Sequence, residues 1–151
     1  FIDATGANIT HSAQGRAYYN RLSDSIHLPN RENFSATEFS SATQTYYGTA
    51  LHELIHWTGS EARLDRTKGQ SFGDNAYAYE ELCAEIGATI ASVELGLEIT
   101  VRADHAQYIA NWLSALNDNK DFIFKASADA QKAFNYLQSL QTESSIKEEA
   151  A

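Results

Sequence analysis

His52-Glu53-Leu54-Ile55-His56 is the stretch that most restricts how this chain can fold, because its two imidazoles can act together only on an α-helix. Four helical residues advance slightly more than one turn, so His52 and His56 project from one face. Two neutral imidazoles placed that way can grip one divalent cation, with Glu53 beside it as a base for a water molecule. Tyr47, Leu51, Leu54, Ile55 and Thr58 follow helical spacing and supply the stripe that buries such a helix, leaving the histidines beside it and facing a cleft. Two capping boxes compete for its start, Ser35-x-x-Glu38 and Ser41-x-x-Gln44, and Gly59 predicts a left-handed cap at its end.

Two histidines do not complete a catalytic metal site, which needs a third protein ligand and an open position. Glu80-Glu81-Leu82-Cys83-Ala84-Glu85 offers three carboxylates on a second helix. Glu81 and Glu85 share a face, where two like charges cost a few tenths of a kcal/mol and a cation reverses the sign. Glu81 is the expected third ligand, and Glu85 the expected acceptor for a ring N–H of His52 or His56. Glu80, rotated by about 100° from Glu81, is expected at the solvent. The plain alternative makes all three glutamates a solvated face. His11, His27 and His105 read as ordinary surface or packed histidines. Tyr77, Tyr79 and Arg63 are candidates to stabilise a developing oxyanion. Zn²⁺ is the expected cofactor, with Mn²⁺ and Ni²⁺ suited to the same donors. The corresponding chemistry is hydrolysis of a peptide bond in a protein or peptide substrate, with Glu53 as general base. An extended substrate can add to a sheet edge, and the strand at Ser25–Leu28 is the expected edge.

A chain of 151 residues with 43% hydrophobic content suffices for one domain with a sizeable core, read as residues 1–141 followed by a polar tail, 142–151. No run of about 18 apolar residues is present, so no membrane span is expected. The single cysteine, Cys83, cannot form an internal disulfide and sits in a helical pattern, which predicts a buried thiol in a reducing, cytoplasmic setting. The chain begins Phe1-Ile2-Asp3 and contains no methionine, which predicts a piece of a longer protein. A net charge of −9 speaks against phosphate neutralisation, hence against nucleic-acid binding by this segment. An acidic surface is ordinarily a solvated one; its sharper reading is mimicry of DNA toward a DNA-binding enzyme.

The pattern predicts an α+β fold. Short strands at Asn8–His11, Arg16–Tyr19 and Ser25–Leu28, separated by turn residues and closed by Pro29, suggest a small three-stranded antiparallel sheet packed on the His52–His56 helix. Three further helices are expected. One is capped by Asp74 and buries Leu82, Ile86, Ile90 and Val93. One is capped by Asp104 and buries Tyr108, Ile109, Trp112, Leu113 and Leu116. The last, from Asp121, buries Ile123, Phe124, Phe134, Leu137 and Leu140 and frays from Thr142.

His52-Glu53-Leu54-Ile55-His56-Trp57-Thr58-Gly59, Arg63-Leu64-x-Arg66, Phe72-Gly73 and Tyr77-Ala78-x-Glu80-Glu81-Leu82-x-Ala84-Glu85-Ile86-Gly87-Ala88 together form a motif set. With His105, Tyr108-Ile109, Trp112-Leu113, Lys120-Asp121 and Ile123-Phe124, it resembles the zincin-like domain of ArdC-type antirestriction proteins and of TraC-type plasmid primases. The resemblance runs over nearly the whole chain. It implies a zincin-like fold, His52, His56 and Glu81 as ligands and Glu53 as base. It also implies a bacterial plasmid or mobile-element protein that helps incoming DNA survive restriction, with single-stranded DNA bound by a separate N-terminal domain. Under the resemblance, the alternative to a metallopeptidase is a non-enzymatic acidic module that blocks a restriction enzyme or serves a primase as accessory domain.

Overall fold

The computed structural model describes residues 1–38, 40–66, 75–97 and 121–149, without the side chains of residue 75 and of 142–149. Strands β1 (Asn8–Ser12), β2 (Tyr18–Asn20) and β3 (Ser25–Pro29) are followed by helices α1 (Ala42–Thr58), α2 (Asn75–Glu94) and α3 (Phe122–Glu149). The architecture is α+β, as expected. The expected helix from Asp104, with His105, lies outside the described residues, as do Asp74, Phe72 and Gly73. No helix among the described residues is long and apolar enough to cross a membrane.

The sheet departs from the expected pattern. Its order is β1-β3-β2, with β2 antiparallel to β3 and β1 parallel to it, so the sheet is mixed rather than antiparallel. Burial explains the order. β3 buries Ile26 and Leu28 completely, whereas β1 and β2 have no fully buried residue, so the most apolar strand takes the centre and the polar strands the edges. β3 is therefore not the free edge expected for a substrate; both its flanks are paired. The β2–β3 hairpin turns on Asn20, whose Oδ1 accepts from the amides of Leu22 and Ser23, and on Asp24 at φ 47°.

Of the two competing capping boxes, Ser41 and Gln44 form the real one: Gln44 N–H donates to Ser41 Oγ, and Ser41 N–H donates to Gln44 Oε1 at 2.7 Å. The other end of α1 differs from expectation, since Gly59 has φ −79° and is right-handed. A left-handed reversal is not required because every late carbonyl finds another donor. Ile55 O accepts from Arg66 Nη2 and Thr58 Oγ1, His56 O from Gly59 N–H, Trp57 O from Arg63 Nε, and Thr58 O from Leu64 N–H.

Leu51, Leu54, Ile55 and Thr58 of α1 are at most 1% exposed, and they pack between the sheet and α2. α1 and α2 approach closely at Gly87, where an added Cβ would stand 2.8 Å from Ile55 Cδ1. α2 meets α3 through small residues: Ala126, Ala130 and Ala133, with Phe134 and Leu137, form the buried face of α3. This corrects three expectations. Val93 is 53% exposed, Ile123 40% and Phe124 73%, because alanines at helical spacing supply the contact the larger residues were expected to make. The helical backbone also continues past Thr142 to Glu149. Cys83 is fully buried, with burial pushing its thiol up to about 12.

Candidate metal centre

Helical spacing on α1 and its crossing with α2 bring His52, His56 and Glu81 to one point. The two Nε2 atoms are 3.1 Å apart, with the rings near perpendicular at 78°. Glu81 reaches both, with Oε2 3.6 Å from His52 Nε2 and Oε1 3.4 Å from His56 Nε2. A tetrahedral ion with bonds of about 2.0–2.1 Å would set its donors roughly 3.3–3.4 Å apart, and the three donors are close enough together to share one. One ligand atom from each of the three residues falls within a common 4.8 Å cluster.

The opposite ring nitrogens face carboxylates. His56 Nδ1 lies 3.2 Å from Glu80 Oε1 and donates to it. His52 Nδ1 lies 3.1 Å from Glu85 Oε1, but the pair is not aligned as a hydrogen bond and the nitrogen is buried without one. Glu85 is thus placed beside His52, where an acceptor was expected. Glu80 is the correction. Expected at the solvent, it is 2% exposed, because Arg66 meets it bidentately, Nε to Oε2 at 3.1 Å and Nη2 to Oε1 at 3.0 Å. A buried carboxylate needs such a partner, and none could be read from α2 alone.

Carboxylates dominate the electrostatics of the cluster. Burial by itself would push both imidazoles down, yet Glu81 and Glu85 hold His52 above its ordinary value, and Glu80 and Glu81 raise His56 to about 10. Burial would raise the Glu81 carboxyl, but hydrogen bonds from His52 and His56 outweigh it and hold the group well below the usual carboxylate range. Arg66 balances Glu80, which leaves Glu81 and Glu85 drawing protons onto the imidazoles. A dication suits the same two-nitrogen, one-carboxylate donor set and would replace those protons. The residues therefore fit a divalent metal. Glu53 follows His52 on α1 and is 6% exposed.

The three proposed oxyanion stabilisers separate. Arg63 is engaged elsewhere: it lies over the Trp57 ring at 3.9 Å, donates to Trp57 O and Tyr19 Oη, and pairs with Asp24. Tyr79 donates to Asp129 at 2.7 Å and packs edge-on to Phe122, so it faces α3. Tyr77 stands one turn before Glu81 on the same face of α2. His11 hydrogen-bonds Tyr46 at 2.8 Å, and His27 packs on Tyr18 and meets Ser12 at 3.2 Å. His11 is exposed and His27 half-buried, and neither belongs to the cluster.

Comparison with known proteins gives a consistent picture. Residues 1–129 match the family model of a zincin-like metallopeptidase, MPTase-PolyVal. Over 136 residues the chain is 45% identical to the DNA primase TraC of Escherichia coli, covering 90% of this chain and 9% of the primase. It is 34% identical to the uncharacterized protein y4eC of Sinorhizobium fredii, covering 98% of this chain and 46% of that protein. The crystal structure of the antirestriction ArdC protein from the R388 plasmid is similar in its Mn(II)-bound form, with a TM-score of 0.70, 43% identity and coverage of 91% of this chain and 48% of that one. Its metal-free form gives a TM-score of 0.79 at 45% identity, covering 93% and 48%. The chain thus spans about half the length of ArdC and a small part of TraC.

Proposed function

The chain belongs to the zincin-like metallopeptidase family, and on that premise we propose that it hydrolyses peptide bonds in a protein substrate, using Zn²⁺ held by His52, His56 and Glu81. When bound, the cation acidifies a water molecule and polarises the scissile carbonyl. Glu53 accepts the proton of the attacking water on its carboxylate and hands it to the leaving amine nitrogen. Glu80 keeps His56 protonated at Nδ1, so that its Nε2 lone pair faces the shared point. Tyr77 is the candidate donor to the developing oxyanion. Since β3 is central, an extended substrate has β1 or β2 as its edge.

The observation that carries this reading is the convergence of both Nε2 atoms and Glu81, with a buried Glu53 next to His52 on the same helix. A structural metal site has no use for that carboxylate. The relatives are named as a DNA primase of Escherichia coli and an antirestriction protein of a plasmid; we extend to this segment a setting in the bacterial cytoplasm beside a separate domain that binds single-stranded DNA. The Mn(II) of the ArdC structure makes Mn²⁺ the second metal to test.

The test is Glu53→Gln, loaded with Zn²⁺ and incubated beside wild type with unfolded casein and with restriction enzymes, with and without single-stranded DNA. The variant is expected to bind metal as wild type does and to lose about 10²–10⁴-fold in cleavage rate, together with the antirestriction effect. A variant that protects DNA as well as wild type would favour the second reading, a non-enzymatic module acting through its net charge of −9.

A further inference from the structure

Arg66 makes four side-chain hydrogen bonds near the centre, none of them to the three candidate ligands. It follows α1 in a tight turn, where its own amide donates to Gly59 O at 2.9 Å. Its guanidinium then reaches back along the last turn of α1, donating from Nη2 to Ile55 O at 2.7 Å and from Nη1 to Thr58 Oγ1 at 2.9 Å. The remaining donors close a fork on both oxygens of Glu80. One of those oxygens, Oε1, also accepts from His56 Nδ1. The side chains of Arg66 and Glu80 are 6% and 3% exposed.

We propose that Arg66 is a positioning residue for the metal centre: by riveting the C-terminal turn of α1 to Glu80 of α2, it fixes the angle and tautomer of His56. This rests on the reading that His56 is a ligand. Two features of the geometry support it. The fork holds Glu80 in plane with two donors, so the carboxylate cannot rotate away from His56 without breaking a buried charge-assisted pair. The contact to Ile55 O, one residue before His56, ties the ligand's own backbone to the same guanidinium. Among the described residues the Nδ1 of His52, 3.1 Å from Glu85 Oε1, has no such aligned hydrogen bond. A lysine would keep the charge but supply neither the planar fork nor a simultaneous reach to Ile55 O, Thr58 Oγ1 and both Glu80 oxygens.

The experiment measures the dissociation constant of Zn²⁺ by competition with a chromophoric chelator, in the wild-type chain and in Arg66→Lys, Arg66→Met, Glu80→Gln and Arg66→Lys/Glu80→Gln. Melting temperatures are recorded with and without the metal. Arg66→Lys is expected to weaken Zn²⁺ binding about 10–100-fold, the range for residues that orient a ligand. Once Glu80 is Gln, the lysine substitution should add little, because the arginine acts through that carboxylate. A merely structural role would lower the metal-free and Zn²⁺-loaded melting temperatures equally and leave the dissociation constant unchanged; that result overturns the proposal. Should Arg66→Met fail to fold, Arg66→Lys decides, since it keeps the charge and the aliphatic stem. A wild-type chain that binds no Zn²⁺ defeats the metal-site reading itself, whereas equal binding by wild type and Arg66→Lys defeats only the role of Arg66.

Discussion

Gly87→Ala offers the sharpest test of how the two site-bearing helices are held. The new methyl would stand 2.8 Å from Ile55 Cδ1, 2.9 Å from Cγ1 and 3.1 Å from Cγ2. Carbon atoms rest about 3.5–4.0 Å apart, so each contact is short by roughly 0.5–1 Å. Ile55 is 0% exposed and cannot swing into solvent. Either it leaves its rotamer or the helices part, at about 1–3 kcal/mol. Removing a helical glycine returns about 0.5–1 kcal/mol. Taking the middle of each range, the net expectation is a loss of about 1 kcal/mol, or a fall in melting temperature of roughly 2–4 °C for a chain of this size. Because α1 carries His52 and His56 while α2 carries Glu81, parting the helices should also weaken metal binding. Thermal unfolding followed by circular dichroism reads the first effect and chelator competition the second. Gly48→Ala is the matched control: it lies inside α1 with nothing within 4 Å of its added Cβ, so it should raise the melting temperature. Ile55→Val removes the nearest atom, so its combination with Gly87→Ala should be more stable than the sum of the two changes. A Gly87→Ala protein that melts at or above the wild-type temperature would refute the reasoning.

Two further outcomes concern protons. With His56 raised to about 10 in the metal-free protein, its proton is present at neutral pH, so binding Zn²⁺ must expel it. Calorimetry in buffers of different ionisation heat should record release of at least one proton, and affinity should rise with pH through the neutral range; pH-independent binding would contradict the charge analysis. The Asp24 carboxyl, held below its ordinary value by the hydrogen bond from Arg63, contributes stability that is present above its unfolded value of 3.8 and lost as pH falls through the lower folded value. Asp24 is half-exposed, so the increment is below about 1 kcal/mol. Arg63→Met should flatten the fall in melting temperature between about pH 5 and pH 2; an unchanged slope would show that another group governs it.

Local signals carried far in this chain. The strands near 8, 18 and 25, the buried stripe of α1 and the face shared by Glu81 and Glu85 all follow from spacing within one element, whereas the choice between two capping boxes does not. Spacing within one element is what a sequence displays directly. The misjudged residues depend on what stands opposite. Phe124 and Val93 are apolar at helical positions, but the alanine face of α3 lets α2 approach on a different side. Glu80 is polar and a turn-fraction away from Glu81, so by itself it reads as solvent-facing. The Arg63-Leu64-x-Arg66 motif held the signal that could have placed it, since an arginine closely following the metal-binding helix can neutralise a carboxylate on the next one.

The amino-acid order alone determined which side chains could serve as donors and which helix faces they occupy, because those depend on 3.6 residues per turn. Only the tertiary structure decided that β3 is central with β1 parallel to it, that Glu80 is buried on Arg66 and His56, and that Gly87 lets α2 close on Ile55. Each of those is a pairing between segments distant along the chain. Its free energy depends on burial and charge compensation that neither segment possesses until both are in place.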